Sequence, residues 1–552
     1  MHIYCVLSFV TVYTRLWLYT VLVINDNELL QVKPLPSYSS VDFDFLSINV
    51  KVLHLVGLWN HHWQHKNRWR YWAYLAYAVF MIVIMMIHFV TEVLELIFTW
   101  GDFTTFASTA WFANNYGASI IKQIFILAQT DRVQDTTMKL RGGVLSRGLR
   151  WSQEQDEIAR STNRQVRYLS IGYYAVAVSS CLGLFAIAIR TSYSQLYEAF
   201  TGAANFTEHA GSMDLPLKAW FPYDVQQPMN YLWTFGFQLI IVAVGPMINI
   251  GTDTFITGLI IHACGELRIL KKSIRNLEQR ALQLLLEDRK PQVGQKMKLS
   301  KLPLLEDVNP VSERIRNDNS GIQERLGNDR MPIYTKAELQ PKLYHALVEC
   351  TQHHQQVLMF VSELENMFSS MMFIQFLSIS VRICLIIFHI TTASICLNIA
   401  YCTSHYKLNN WCHTDYKYFL AVCFKRITVQ FFIMLPIIFL IVGIVYRVIS
   451  DDRGLVQVTY IQILCVSFLQ GLPFCLYGSE LTWQSECVGR VLYETPWVEN
   501  TLRFRRSLVV MVTRAQTTLQ LTGGKIYVMS LETFQTVSLS LNFNVAFCYY
   551  LL

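Results

Sequence analysis

The sequence predicts an all-α, polytopic membrane protein with seven transmembrane helices and a cytoplasmic N-terminus. Three observations carry this. The 552 residues are 53% hydrophobic but only 15% charged, where a soluble chain usually carries about 25% charge. The mean hydropathy is +0.29, and the apolar residues come in long blocks rather than periodic stripes. Lys and Arg, finally, are shared unevenly among the loops that join those blocks. Disordered, collagen-like and disulfide-scaffold classes are excluded by 33 Phe, 25 Gly and 13 Cys in so long a chain.

A membrane helix needs about 20 apolar residues to cross about 30 Å of hydrocarbon. Candidate spans in chain order are 72–90, 106–128, 169–189, 232–261, 371–400, 456–477 and 526–549. Two further apolar runs, 1–24 and 419–449, compete with them. Loop charge sets the orientation, because cytoplasmic loops retain Lys and Arg. Lys66, Arg68 and Arg70 precede the first span, and loop 131–167 carries eight Lys/Arg. Loop 191–231 carries one, Lys218, against four acids. The glycosylation sequon Asn205-Phe206-Thr207 lies in that acid-leaning loop and requires a lumenal face.

Loop 264–341 is long and mixed in charge, and its near end (Arg268, Lys271, Lys272, Arg275) agrees with a cytoplasmic face. Within it, 274–286 reads as an amphipathic helix and 290–332 as a flexible insertion. Helical character resumes over 336–370, where Leu339, Leu343 and Leu347 recur at helical spacing, as an extension of the fifth span. The expected organisation is an N-terminal extension (1–40), the first four helices with their long loop (41–335) and the fifth helix (336–396). An apolar insertion (397–449) and the last two helices with their anchor and pore segments (450–552) complete it.

No like-charge block or aromatic-interleaved basic motif points to nucleic acid. There is no HExxH, P-loop, dinucleotide fingerprint or nucleophile elbow, so no enzyme is expected. The cysteines, such as Cys181, Cys384, Cys396 and Cys465, lie in apolar runs without metal-ligand spacing. His61, His62, His65 and the pair His353 and His354 read as polar positions on interfacial helices rather than as a metal site.

Ionisable residues within spans are costly and often functional. Lys122, Asp253, Arg382 and Lys525 are of this kind. Lys122 and Asp253 fall near the cytoplasmic ends of their spans, where snorkelling or ion pairing inside the bundle explains them. Arg382 is deeper, with Glu363 or Glu365 as conceivable partners. The last span interleaves Ser530, Thr533, Gln535, Thr536, Ser538, Ser540, Asn542 and Asn544 with apolar residues. Such groups either join helices to one another or line a wet pore. Phe547, Tyr550 and Leu551 fall at i, i+3 and i+4, which suits a hydrophobic constriction at the outer end.

The C-terminal residues then form a pattern: Gly478-Ser479-Glu480-Leu481, Ser485, Tyr493, Trp497, Arg505-Arg506-Ser507-Leu508 and Arg514-Ala515-Gln516. It continues through Leu521-Thr522, Gly524-Lys525-Ile526-Tyr527 and Ser530-Leu531-Glu532-Thr533-Phe534. This string resembles the signature of the insect odorant receptor family. Leu215-Pro216-Leu217-Lys218-Ala219-Trp220-Phe221-Pro222-Tyr223 resembles that family's segment before its fourth helix, and Phe368-Ser369 with Gln375-Phe376 the start of its fifth. Glu532-Thr533-Phe534 favours the odorant branch over the sister gustatory receptors.

The resemblance implies the odorant-binding subunit of a heteromeric, odour-gated, nonselective cation channel in the plasma membrane of olfactory neuron dendrites. Its partners would be the shared odorant co-receptor, in a heterotetramer around a central pore, a small volatile odorant and membrane lipid. No cofactor is implied. The family's last helix is split, here into 503–518 and a pore-lining 526–549. Val537, Ser540 and Asn544 would line the pore, and Phe547, Tyr550 and Leu551 would form its outer constriction. The family's odorant pocket maps onto Phe112, Asn115 and Tyr116, then Ser180, Gly183 and Ile187, then Phe237 and Ile241, and finally Cys465 and Phe468. Such an apolar pocket suits small volatiles. The alternatives are a gustatory-type channel working without the co-receptor and, less favoured by orientation, a G-protein-coupled receptor.

Overall fold

The computed structural model describes residues 46–59, 68–101, 103–141, 152–201, 215–289, 335–398 and 452–536, excluding the side chains of 103–104, 141, 186–188, 190–201, 289, 387–398 and 452–465. Ten labelled helices and one small hairpin lie among these residues. They are α1 (Ser47–Leu55), α2 (Arg68–Phe98), α3 (Phe103–Ala128), α4 (Thr130–Arg141) and α5 (Gln153–Thr201). Then follow α6 (Pro228–Arg275), α7 (Leu277–Arg289), α8 (Lys336–Asn398), α9 (Asp452–Tyr493) and α10 (Leu502–Ala515). Four of the described helices, α2, α5, α6 and α8, are long and apolar enough to cross a membrane. The spans expected at 106–128 and 456–477 also fall on helices, α3 and α9.

The bundle is built around α6. Pro228 opens it, where a missing N–H costs nothing and a fixed φ helps. From Ile248 to Leu267 every side chain is buried, so α6 is covered all round here and its polar residues, Asn249, Asp253 and Glu266 among them, find partners inside the bundle. Its neighbours come close at small residues: a Cβ on Gly265 would lie 2.8 Å from Thr162 Oγ1 of α5. By contrast α2 leaves Trp72, Phe80, Val83, Ile87 and Val90 exposed. An apolar stripe of that length on a peripheral helix is a surface for lipid tails. Short α1 lies against α6 through the edge of Trp59 on Phe255, with ring centroids 5.5 Å apart. Tyr74 of α2 locks it there by donating to the His54 carbonyl at 3.0 Å and accepting from the Trp59 amide at 3.1 Å.

One end of the bundle collects α4, α7, the N-terminal part of α8 and α10, and it is rich in ion pairs. Arg280 grips Glu349 with two donors, at 3.0 and 3.1 Å. Arg268 reaches Glu480 at 2.8 Å and Lys139 reaches Glu363 at 2.8 Å. We refer to this as the basic end. The helix α8 runs unbroken for 63 residues, about 95 Å at 1.5 Å per residue, from the basic end through the apolar bundle.

The last span differs from expectation. Its N-terminal residues, expected to be helical from Ile526, form an antiparallel hairpin of β1 (Thr522–Gly523) and β2 (Tyr527–Val528). Gly524 and Lys525 take φ of +62° and +60°, a left-handed turn that glycine tolerates freely. A helix resumes only at 531, with Ser530 accepting from the Thr533 amide at 3.1 Å as its N-cap. Residues 537–552 lie outside the described part, as do 1–45 and 399–451.

Candidate functional site

A polar cluster sits where α3, α6, α8 and α9 meet, inside an otherwise apolar bundle. Lys122 Nζ donates to Asp253 Oδ1 at 2.7 Å, with both side chains at most 3% exposed. Gln375 of α8 donates to the other carboxylate oxygen at 3.1 Å. The snorkelling alternative is therefore ruled out for both residues, which turn inward and pair. Their partnership joins positions 131 residues apart. Beside them the Arg382 guanidinium donates to Asn115 Oδ1 of α3 and to Gln470 Oε1 of α9. Asn249 donates to the same Asn115 oxygen at 3.1 Å and to Ser119 Oγ at 2.6 Å. The carboxylates considered for Arg382 are engaged elsewhere: Glu363 by Lys139, and Glu365 by Thr522.

A second buried group surrounds Tyr116, the residue of α3 next to Asn115. His88 and Glu92, one turn apart on α2, are completely buried, with Nε2 and Oε1 3.2 Å apart. The His88 ring meets the edge of Tyr116 at 4.9 Å and lies 6.0 Å from Phe237. Gly245 leaves room for Tyr116, since a Cβ there would come within 2.6 Å of the ring. Segment 215–223 folds over this end of α6. Gln238 holds the Leu217 backbone at both its N–H (3.1 Å) and its carbonyl (2.8 Å).

Of the residues proposed for the odorant pocket, some fall in these two groups and others do not. Tyr116 and Phe237 belong with His88; Ile241 is fully buried on α6, next to Val242, whose carbonyl accepts from the Cys181 thiol at 3.3 Å. Asn115 belongs to the Arg382 cluster, and Phe112 packs with Trp111, Leu184 and Ile386 alongside it. Ser180 is buried and turned to its own helix, donating to the Val176 carbonyl at 3.0 Å. Gly183 is buried on the same helix, and Phe468 is half-buried on α9. The side chains of Ile187 and Cys465 lie outside the description, as do Asn205 and the pore residues Val537, Ser540, Asn544, Phe547, Tyr550 and Leu551. The sequence reading does not single out His88, Glu92 or Gln470, and it marks Gln375 only as part of a family motif. The signal for the first two was a histidine and an acid at i, i+4 inside an apolar run.

The C-terminal motif residues build a clamp between the hairpin and two long helices. Ser369 of α8 accepts from the Gly524 amide through its carbonyl, at 2.8 Å, and from the Lys525 amide through its hydroxyl, at 3.2 Å. Glu365, one turn earlier, accepts from the Thr522 amide at 2.9 Å and from its hydroxyl. From α9, Ser479 accepts from the Leu531 amide at 3.0 Å and Ser485 from the Leu519 amide at 3.1 Å. Phe534, in the first turn after the hairpin, packs on Gly471, the residue after Gln470.

The histidine pair on α8 is structural. His353 Nε2 lies 3.0 Å from Glu266 Oε2. His354 is pushed down to about 4, chiefly by burial, with Arg514 and His353 adding repulsion. Among the described residues no group of three or more His, Cys, Asp or Glu could hold a metal ion. A groove of about 940 Å³ lies on the surface of the basic end between α5 and Lys272, lined by Arg160, Arg164 and Arg167. It is remote from both buried groups.

Comparison with known proteins agrees with this architecture. The 7tm Odorant receptor family matches residues 102–406 and 421–540. A Drosophila melanogaster protein named as an odorant receptor, 85e, is 31% identical over 177 residues, 32% of this chain and 36% of the relative. The match thus spans about a third of that relative's length. Among solved structures, the insect olfactory receptor OR5 from Machilis hrabei in complex with eugenol superposes with a TM-score of 0.57 at 11% identity. It covers 92% of this chain and 98% of the other. A second structure of the same OR5 superposes with a TM-score of 0.55 at 12% identity, covering 92% of this chain and 97% of the other.

Proposed function

Because this chain belongs to the 7tm odorant receptor family, we propose that it is the odorant-binding subunit of an odour-gated, nonselective cation channel. It works with the shared odorant co-receptor in a heterotetramer in the plasma membrane of olfactory dendrites. The basic end faces the cytoplasm, and the segment from 531 onward lines the pore, with Phe547, Tyr550 and Leu551 as its outer constriction.

One observation carries the reading. Asn115, in the expected odorant pocket, is bonded to Arg382, which is bonded to Gln470. Gln470 precedes Gly471, which supports Phe534 at the start of the pore segment. A ligand that shifts Asn115 acts on a continuous chain of contacts ending at the pore. Such a ligand opens the channel only by binding the open arrangement more tightly than the closed one.

Voltage clamp of cells expressing the chain alone, and with the co-receptor, under an odour panel tests this. Odour-evoked currents that require both chains are expected. Responses that persist without the co-receptor, or that depend wholly on G proteins, overturn it.

A further inference from the structure

The four helices that meet at the polar cluster contain an unbalanced charge. Over 106–128, 232–261, 371–400 and 456–477 the sequence has two permanent cations, Lys122 and Arg382, and one acid, Asp253. The sum is 2 − 1 = +1. Asp253 is already committed, accepting from Lys122 and from Gln375. Arg382, only 5% exposed, donates only to neutral amide oxygens, from Asn115 and Gln470, and Asp253 attracts it only through space. A guanidinium offers five N–H donors. Two serve those amides, and Nε has no partner among the described residues. A buried cation inside a membrane bundle ordinarily has a counter-charge.

The surroundings indicate what kind of anion completes it. Trp111 and Phe112 lie four and three residues before Asn115, and Leu385 and Ile386 three and four after Arg382. In the antiparallel pair α3 and α8 these fall one turn beyond the Arg382–Asn115 contact, on the same side. With Leu184 of α5 they form a small apolar cluster, which Phe112 and Leu184 join to the main core. An inorganic anion would gain nothing from that wall. A carboxylate on a short hydrocarbon tail would use both parts: the fork of Nε and Nη binds its two oxygens, and the tail is buried against the aromatic and aliphatic side chains.

We infer that the Arg382–Asn115–Gln470 cluster, with its apolar neighbour, is a binding site for the carboxylate of a small aliphatic or aromatic acid. This deepens the odorant-receptor reading and rests on it for the consequence that such an acid is an activating odorant. Binding itself can be measured without that reading.

Equilibrium binding of hexanoate to the purified full-length chain at neutral pH, with chloride held constant, tests it. 1-Hexanol is the competitor, since it keeps the tail and lacks the charge. Hexanoate is expected to bind roughly tenfold or more tightly than 1-hexanol, the scale of a charge-assisted hydrogen bond. R382Q is expected to abolish that preference. N115D guards against a folding failure in R382Q, because it gives Arg382 an internal carboxylate. It is expected to abolish hexanoate binding while raising the thermal stability of the chain. No hexanoate binding, equal affinity for the two compounds, or a preference that survives either variant overturns the proposal. Hexanoate binding without any evoked current upholds the site and refutes the channel reading. Currents to other odours without hexanoate binding do the reverse.

Discussion

Replacing Asp253 by Asn removes the one negative charge from a group of three. At 2.7 Å and an effective dielectric constant of about 20, the gross Lys122–Asp253 attraction is ~6 kcal/mol. Much of this offsets the desolvation of the two ions. Breaking such a pair from one side costs about 3–5 kcal/mol, because the surviving charge stays buried. D253N leaves two cations, Lys122 and Arg382, and a net charge of +2 in the cluster. K122M instead leaves Asp253 with its Gln375 hydrogen bond and with Arg382 nearby, a net charge of zero. D253N is therefore expected to be the more damaging, and the K122M/D253N double variant less damaging than D253N. Unfolding of a large membrane protein is rarely reversible, so the assay is the temperature at which half the folded peak is lost on size-exclusion chromatography. If D253N proves no worse than K122M, or the double variant shows the sum of the two losses, the charge argument fails.

Other perturbations separate the remaining contacts. E365A removes the acceptor for the Thr522 amide and hydroxyl and is expected to raise spontaneous current in co-expressing cells, while surface expression stays near wild type. G478A places a methyl group against the Met529 carbonyl oxygen, a backbone atom that cannot turn aside. It should cost about 1–3 kcal/mol, as overpacking usually does, and be read as a drop in the half-loss temperature. His354 is held neutral in the folded chain down to about 4, against 6.5 when unfolded. Between those values the unfolded chain takes up a proton that the folded chain refuses. Stability is thus complete above pH 6.5 and falls as pH drops toward 4. H354Q should flatten that slope, as seen in thermal melts at pH 4.5 and 7.

The spans were legible because burial in lipid demands unbroken apolar runs, and α2, α5, α6 and α8 are such runs. So was the joining of 336–370 to the fifth span, since no helix breaker separates them. The pairing of Lys122 with Asp253 was not, because contact order of this size leaves no trace in either local sequence. Each residue announced itself only as an expensive group needing a partner. Arg382 shows the same limit, with its nearby acids taken by Lys139 and Thr522. The start of the last helix is a different failure. Ile526-Tyr527-Val528-Met529 reads as apolar and helical, yet the preceding Gly523-Gly524 is a turn signal. The string of C-terminal motif residues, readable as a signature, gave no hint that Ser479 and Ser485 of α9 hold the segments on either side of a hairpin, or that Ser369 of α8 holds its turn.

The length of α8 has a mechanical consequence. Its main-chain hydrogen bonds resist twisting, so Arg382 and Ser369, 13 residues or about 20 Å apart along the axis, turn together when the rod rolls. A roll of about 10° carries a side chain ~5 Å from the axis through roughly 1 Å. That displacement would strain the Arg382 contact with Asn115 and the Ser369 contact with Gly524 at the same moment. The rod makes two distant latches into one, released by a single rotation.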